Sequence, residues 1–179
     1  MSEELIDVLT ADGTPTGLRK TKSEIHRDGD WHRAAHVWIV TPDRRVILQL
    51  RSKRKANYPG LWDVSSAGHV SAGEAVLDAA VRETAEEIGI DISAGELTPI
   101  GTFPEQSVLC GGSYLDNEIN EVFLVRKAVG ESDVKLQPEE VDAVAFVPIE
   151  ELRQRIENDP RLVPHREEYE LLLRVLTEH

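Results

Sequence analysis

Glu83, Glu86 and Glu87 stand three and four residues apart, just after a glycine-rich stretch that begins at Gly68. On an α-helix these offsets bring side chains onto one face. Unpaired carboxylates so placed repel by about 0.2–0.5 kcal/mol per pair, so a triple cluster invites a cation. An all-oxygen donor set suits Mg2+ or Mn2+ better than Zn2+. Arg82 is placed to pair with Glu86 at the i, i+4 offset. The plainer reading of the spacing alone is a solvated acidic helix face.

Other chemistry-bearing residues lie on both sides of the cluster. Arg51, Lys53, Arg54 and Lys55 are the densest basic run in an acidic chain, where an anionic substrate would find local help. Lys53 and Arg54 read as solvated. His26, His32 and His69 are candidate ligands or hydrogen-bonded histidines, and His36, within an apolar run, reads as a satisfied core or lining residue. Among Trp31, Trp38, Trp62, Tyr58 and Tyr114, Trp62 is the best candidate for a substrate contact, because it follows the basic run and the Pro59-Gly60 turn. Cys110, the single cysteine, lies in a Gly-rich stretch that reads as a flexible loop.

These residues need elements to hold them. Val76, Leu77, Ala80, Val81, Thr84 and Ile88 form a stripe at helical spacing bordered by the glutamates, with a start at Ser71 or within residues 72–74 and Gly89 as a left-handed cap. Residues 4–10, an Asp12-Gly13 turn and residues 18–22 read as an N-terminal β-hairpin. A loop containing His26, Asp28, Gly29 and Asp30 leads to buried strands at 36–41 and 45–51, with later strands near 97–103, 121–126 and 143–147. Pro148 opens a short helix, and an amphipathic helix runs over about 165–177. Strands alternating with helices predict a mixed α/β layer arrangement.

Composition bounds the partners. With 33 acidic against 20 basic residues, a formal charge of −13 disfavours nonspecific binding to nucleic acid or anionic membranes. The polar start has no signal-peptide core, no apolar run approaches a membrane span, and a lone cysteine excludes an internal disulfide, so a cytoplasmic protein is expected.

Gly68, five residues, Glu74, seven residues, then Arg82-Glu83, Thr84, Ala85, Glu86-Glu87, Ile88, Gly89 and Ile90 resembles the complete signature of the Nudix hydrolases. The resemblance implies a mixed β-sheet sandwiched between helices (an α+β fold). It also implies metal ligation by Glu83, Glu86 and Glu87, with Arg82 steering one of them and Glu74 in support. A wider similarity, over roughly residues 5–147, is to the Nudix branch that contains type I isopentenyl-diphosphate isomerases. That resemblance sets Arg51 and Lys55 against a diphosphate and suggests a second metal ion, Zn2+ or Mn2+, at His32, His69 and Glu118, with Asp116 nearby. The isomerase cysteine is replaced by Ala67, which favours hydrolysis. The expected organisation is one domain over 1–179: a hairpin extension at 1–30, a core at 31–160 and a C-terminal helix at 161–179.

Three functions follow for testing. The favoured one is a Mg2+- or Mn2+-dependent pyrophosphohydrolase that cleaves a nucleoside diphosphate linked to another moiety, with Glu86 or Glu118 accepting the proton of the attacking water. The others are an isomerase of isoprenoid diphosphates and a noncatalytic phosphometabolite-binding module. Selectivity is expected in a loop over 106–117, and the N-terminal hairpin or C-terminal helix could support a homodimer.

Overall fold

In the computed structural model, which describes residues 3–177, strands β1 (Leu5–Leu9) and β2 (Pro15–Thr21) form a hairpin followed by helix α1 (Lys22–Asp28). Then come β3 (Trp31–Val40), β4 (Arg45–Arg51), β5 (Trp62–Asp63), β6 (Ser66–His69) and helix α2 (Val76–Ile88). The chain continues through β7 (Thr98–Leu109), β8 (Tyr114–Arg126), β9 (Val141–Pro148), α3 (Ile149–Asn158) and α4 (Arg166–Thr177). Residues 1–2 and 178–179 of the expected domain span lie outside the described residues.

Strand β3 organises the sheet because its side chains alternate between two apolar layers. Ala35, Val37 and Ile39 join Ala79, Ala80 and Ile88 of α2 in one core, and Trp38 and Val40 join Leu152 of α3 and Tyr169, Leu172 and Leu176 of α4 in the other. Ile47, Phe123 and Val125 fall in the first layer and Val46, Leu48, Val122 and Leu124 in the second, so β4 and β8 share the alternation. β3 pairs in parallel with β8 and antiparallel with β6, while β4 pairs antiparallel with β9 and β7 with β8. The result is the expected mixed sheet between helices. Among the described residues, no helix is long and apolar enough to cross a membrane.

Three local expectations are corrected. Residues 22–28 are a helix rather than a loop, nucleated by a capping box in which Thr21 and Glu24 satisfy each other's backbone N–H and closed by Gly29 at φ 72°. α2 starts at Val76, not at residues 71–74, because Glu74 is engaged elsewhere: its carboxylate accepts from the Ser71 N–H at 2.9 Å and from Arg82. The stretch 106–117 is the end of a long hairpin, since the β7–β8 ladder continues to the Leu109–Tyr114 pair and turns only over residues 110–113.

Helix α4 is tied to the sheet by one buried carboxylate. Glu168 is 2% exposed and accepts from Trp38 Nε1 at 2.7 Å and pairs with His36 Nδ1 at 2.9 Å. Replacing Glu168 with Ala strands both ring N–H groups in the core. The expected loss of stability is about 2–4 kcal/mol, read from urea denaturation, and a change below about 1 kcal/mol would show that α4 docks by apolar packing alone.

Candidate functional site

The carboxylate helix is seated by a glycine. A Cβ at Gly68 would overlap the Glu83 carboxyl group, so β6 and α2 can approach this closely only with glycine there. Arg82 organises the surrounding charges. Its guanidinium takes both oxygens of Glu74 at 2.9 Å, donates to Glu83, reaches Glu86 at 3.4 Å and donates to the His69 carbonyl at 3.1 Å. Glu87 is buried, accepting from Gln49 Nε2 at 2.8 Å and the Ala67 N–H at 3.1 Å, with Lys55 Nζ at 3.8 Å. Glu86 stays at the exposed rim. Burial, then the Glu87 charge, pushes the Glu83 carboxyl up to about 7 against the opposing pull of Arg82. Burial also raises Glu87, with Lys55 opposing. A divalent cation would remove that cost, so the oxygen-rich trio fits such an ion.

Beside this helix, three imidazoles face one another: His26, His32 and His69, with ring centroids 5.0–5.3 Å apart. His26 Nδ1 lies 2.7 Å from the Lys22 carbonyl and His32 Nδ1 lies 3.1 Å from that of Asp30, contacts that make both Nδ1 atoms donors and turn each Nε2 toward the cluster; burial opposes protonation of His32, but Glu118 raises it above its ordinary range. Those Nε2 atoms and Asp116 Oδ1 are buried without hydrogen-bond partners. Asp116 Oδ1 lies 3.2 Å from His26 Nε2, and Glu118 Oε1 lies 3.6 Å from His32 and 3.4 Å from His69. Burial pushes His69 down to about 3, keeping its ring neutral. Glu118 is also buried, which raises it, but His32 and His69 hold it well below the usual carboxylate range. Buried N and O atoms without hydrogen-bond partners, facing one point, fit a transition-metal ion. Among the described residues, ligand atoms of His26, His32, His69 and Asp116 lie within 4.8 Å of one another; the α2 trio is not gathered in this way.

The three α2 glutamates and His69, Asp116 and Glu118 of the second group line a cavity of about 430 Å3, which is also lined by Arg51 and Lys55. Arg51 is 5% exposed and anchored by Asp63 at 2.8 Å, while Lys53 and Arg54 are exposed. Trp62 is not brought there. It packs in the second core layer with Arg155 over its ring, 5.8 Å from the centroid, so the substrate contact expected for it is not supported by its position. Cys110 is exposed at the hairpin turn and does not line the cavity. Tyr114, one of the aromatic candidates, lines it, as do Lys22, Asp63, Glu105 and His165, which the sequence does not single out for the site. Of these four, only Lys22 carries a local signal, through the Thr21-x-x-Glu24 capping box that places it on α1. The others meet through contacts between distant segments.

A glycine-seated loop and helix bearing Glu74, Arg82, Glu83, Glu86 and Glu87 over a mixed sheet is the arrangement of a NUDIX domain, and the NUDIX domain family model matches residues 30–169. The chain belongs to the Nudix family. It is 45% identical over 169 residues to Nudix hydrolase 3 of Arabidopsis thaliana, covering 92% of this chain and 22% of that longer protein. It is 30% identical over 151 residues to an isopentenyl-diphosphate Δ-isomerase of Streptomyces griseus, covering 84% and 74% of the two chains. A crystal structure of a Deinococcus radiodurans protein shares the fold, with a TM-score of 0.71 at 19% identity over 96% of this chain and 98% of that one.

The raised Glu83 carboxyl makes the metal-free stability depend on pH. A carboxyl raised from 4.5 to about 7 contributes stability that is complete below about 4.5 and lost as pH rises through about 7. In metal-free buffer, Glu83→Gln should therefore gain on the parent over that interval, by at most about 3 kcal/mol, and saturating Mg2+ should narrow the difference. Thermal melts at several pH values check this; a difference that does not vary with pH contradicts it.

Proposed function

We propose that the protein is a divalent-metal-dependent pyrophosphohydrolase that cleaves a nucleoside diphosphate linked to another moiety by water attack at phosphorus. The observation that carries this reading is the intact Glu74–Arg82–Glu83 assembly over Gly68, with Glu87 in the same cavity as two cationic side chains. Glu83, Glu86 and Glu87 would hold Mg2+ or Mn2+. When bound, that ion neutralises the diphosphate oxygens and makes water a stronger nucleophile. Arg51, kept rigid by Asp63 and Asn57, would present its remaining N–H groups to a phosphoryl oxygen, and Lys55, paired with Glu140, offers a point charge. Lys22, for which no carboxylate lies within 4 Å among the described residues, is a third cation on the cavity wall. Glu86, at the rim and only loosely tied to Arg82, is free to accept the proton of the attacking water.

His32, His69 and Glu118, joined by His26 and Asp116, would hold a second ion, Zn2+ or Mn2+, as the unpartnered buried N and O atoms suggest. Removing ligands in His32→Ala and Glu118→Gln should each lower bound-metal stoichiometry by mass spectrometric metal analysis, and unchanged stoichiometry in both sinks that assignment.

Isomerisation is the second reading, favoured by the isomerase relative and by the histidine cluster. Against it stands Ala67, opposite His36 in the β3–β6 pairing and on the cavity wall, where the resemblance calls for a thiol. The unit we infer is the 31–160 core with the 1–30 extension and the 161–179 helix, since Glu4 and His165 line the same cavity. A reducing cytoplasm suits its free, exposed Cys110.

A panel of nucleotide and isoprenoid diphosphates with Mg2+ or Mn2+ tests the proposal. Cleavage of at least one, with Glu86→Gln lowering kcat by on the order of 100-fold or more at a similar KM, is expected. No cleavage of any member, or full activity in Glu86→Gln, overturns it.

A further inference from the structure

The cavity that holds the metal-site carboxylates shares a wall with a second one, of about 330 Å3, bordered by β7 and the start of α4. Tyr58, Glu105, Ser107, Val163 and His165 line both. All but Val163 present polar groups, and they are bonded to one another rather than to solvent alone. Tyr58 Oη lies 2.7 Å from Ser107 Oγ. His165 Nδ1 lies 2.8 Å from both Glu105 oxygens, and its Nε2 lies 3.1 Å from Asp63 Oδ1. Asn120 Nδ2 donates to Glu105 at 2.9 Å, and Arg51 donates to Asp63 at 2.8 Å.

The protonation of this wall follows from its partners. Carboxylates only accept, so an imidazole lying between Asp63 and Glu105 must donate from both nitrogens and is the charged imidazolium. Burial opposes that charge, but the two carboxylates raise His165 well above its ordinary range. Among the five residues shared by the two cavities, His165 offsets Glu105, so this wall has no net charge to offer an ionic ligand. An apolar chain would strip water from these groups and return no hydrogen bonds. Glu105 is about one-third exposed, unlike the buried His165, with lone pairs left over after His165 and Asn120. A neutral ligand rich in O–H donors satisfies Glu105, and the Ser107 and Tyr58 hydroxyls can exchange hydrogen bonds with it.

We propose that this shared wall is a subsite for a hydroxylated, sugar-like group attached to the diphosphate, with Glu105 accepting hydrogen bonds from its hydroxyls and His165 positioning Glu105. The proposal rests on the diphosphate-cleaving reading above and names the class of group that the site selects. It also sets this cavity apart from one built for an isoprenoid tail.

The test compares two diphosphates that carry five-carbon groups, ribose 5-diphosphate and isopentenyl diphosphate, using the full chain with Mg2+. The ribose compound should show the higher kcat/KM, by about tenfold or more. Glu105→Gln, which keeps the shape and loses the charge, should cut that preference about tenfold, mainly through KM. Far-ultraviolet circular dichroism and melting confirm that the variant is folded. A preference for isopentenyl diphosphate, or equal losses on both compounds in Glu105→Gln, overturns the subsite. Calorimetric binding of the α,β-methylene analogues separates this outcome from failure of the hydrolase reading. Selective, Glu105-dependent binding of the ribose analogue without cleavage of either diphosphate would sustain the subsite and remove the hydrolase; unselective binding would remove the subsite even if cleavage occurs.

Discussion

Strand β3 runs parallel to β8 in a register of ten residue pairs, from Trp31 opposite Asn117 to Val40 opposite Arg126, and the site depends on that register. It sets His32 opposite Glu118, while the antiparallel pairing of β3 with β6 sets Ala34 opposite His69. Histidines and carboxylates from three strands therefore meet at one end of the sheet. A slip of one residue would turn each of these side chains to the other face and send the apolar set of β3 with them, so the two core layers enforce the functional register. The same apolar alternation that stabilises the sheet thereby aligns these candidate ligands.

Helix α2 is locked to this sheet end by a steric rule and an electrostatic one. Gly68 admits the Glu83 carboxyl where any side chain would exclude it, and Arg82 spans from Glu74 to Glu83 and the His69 carbonyl. The fixed positions in the Gly68 to Ile90 segment thus have distinct physical roles. Gly68 gives clearance, Glu74 and Arg82 align the carboxylates, and Gly89 supplies the left-handed cap at φ 68°. A Cβ at Gly89 would also press on Lys135, so this glycine is required twice over. Carboxylates held in this way are costly without a cation, which is why Glu83 rests near neutrality in its titration.

How much of this was legible in the sequence differs by distance along the chain. The α2 stripe and its glycine cap, the buried strands β3, β4 and β9, and the two C-terminal helices all announce themselves by local period and punctuation. Helix α1 did not, being only seven residues long, too short for periodicity, although Thr21, Glu24 and Gly29 marked both its ends. Missing that helix hid Lys22. The end of the β7–β8 hairpin, residues 106–117, reads as a loop because it carries Gln, Ser, Cys and Gly, and only the cross-strand ladder holds it extended. Asp63, Glu105, His165 and Glu168 were invisible for a different reason: their partners lie many tens of residues away, as with the 132 residues between His36 and Glu168. Trp62 misled because a position after the basic run suggested a site, whereas its ring packs in the core under Arg155.

The central claim is that water attacks phosphorus in a site held by α2, with the organic group left unrearranged. Turnover of a responsive diphosphate substrate in 18O-labelled water, followed by mass spectrometry of the products, tests it most directly. The account predicts one 18O atom in a phosphate product, strictly dependent on Mg2+ or Mn2+, and an unaltered organic group. Unlabelled phosphate products, or an intact diphosphate carrying a shifted double bond, would contradict it.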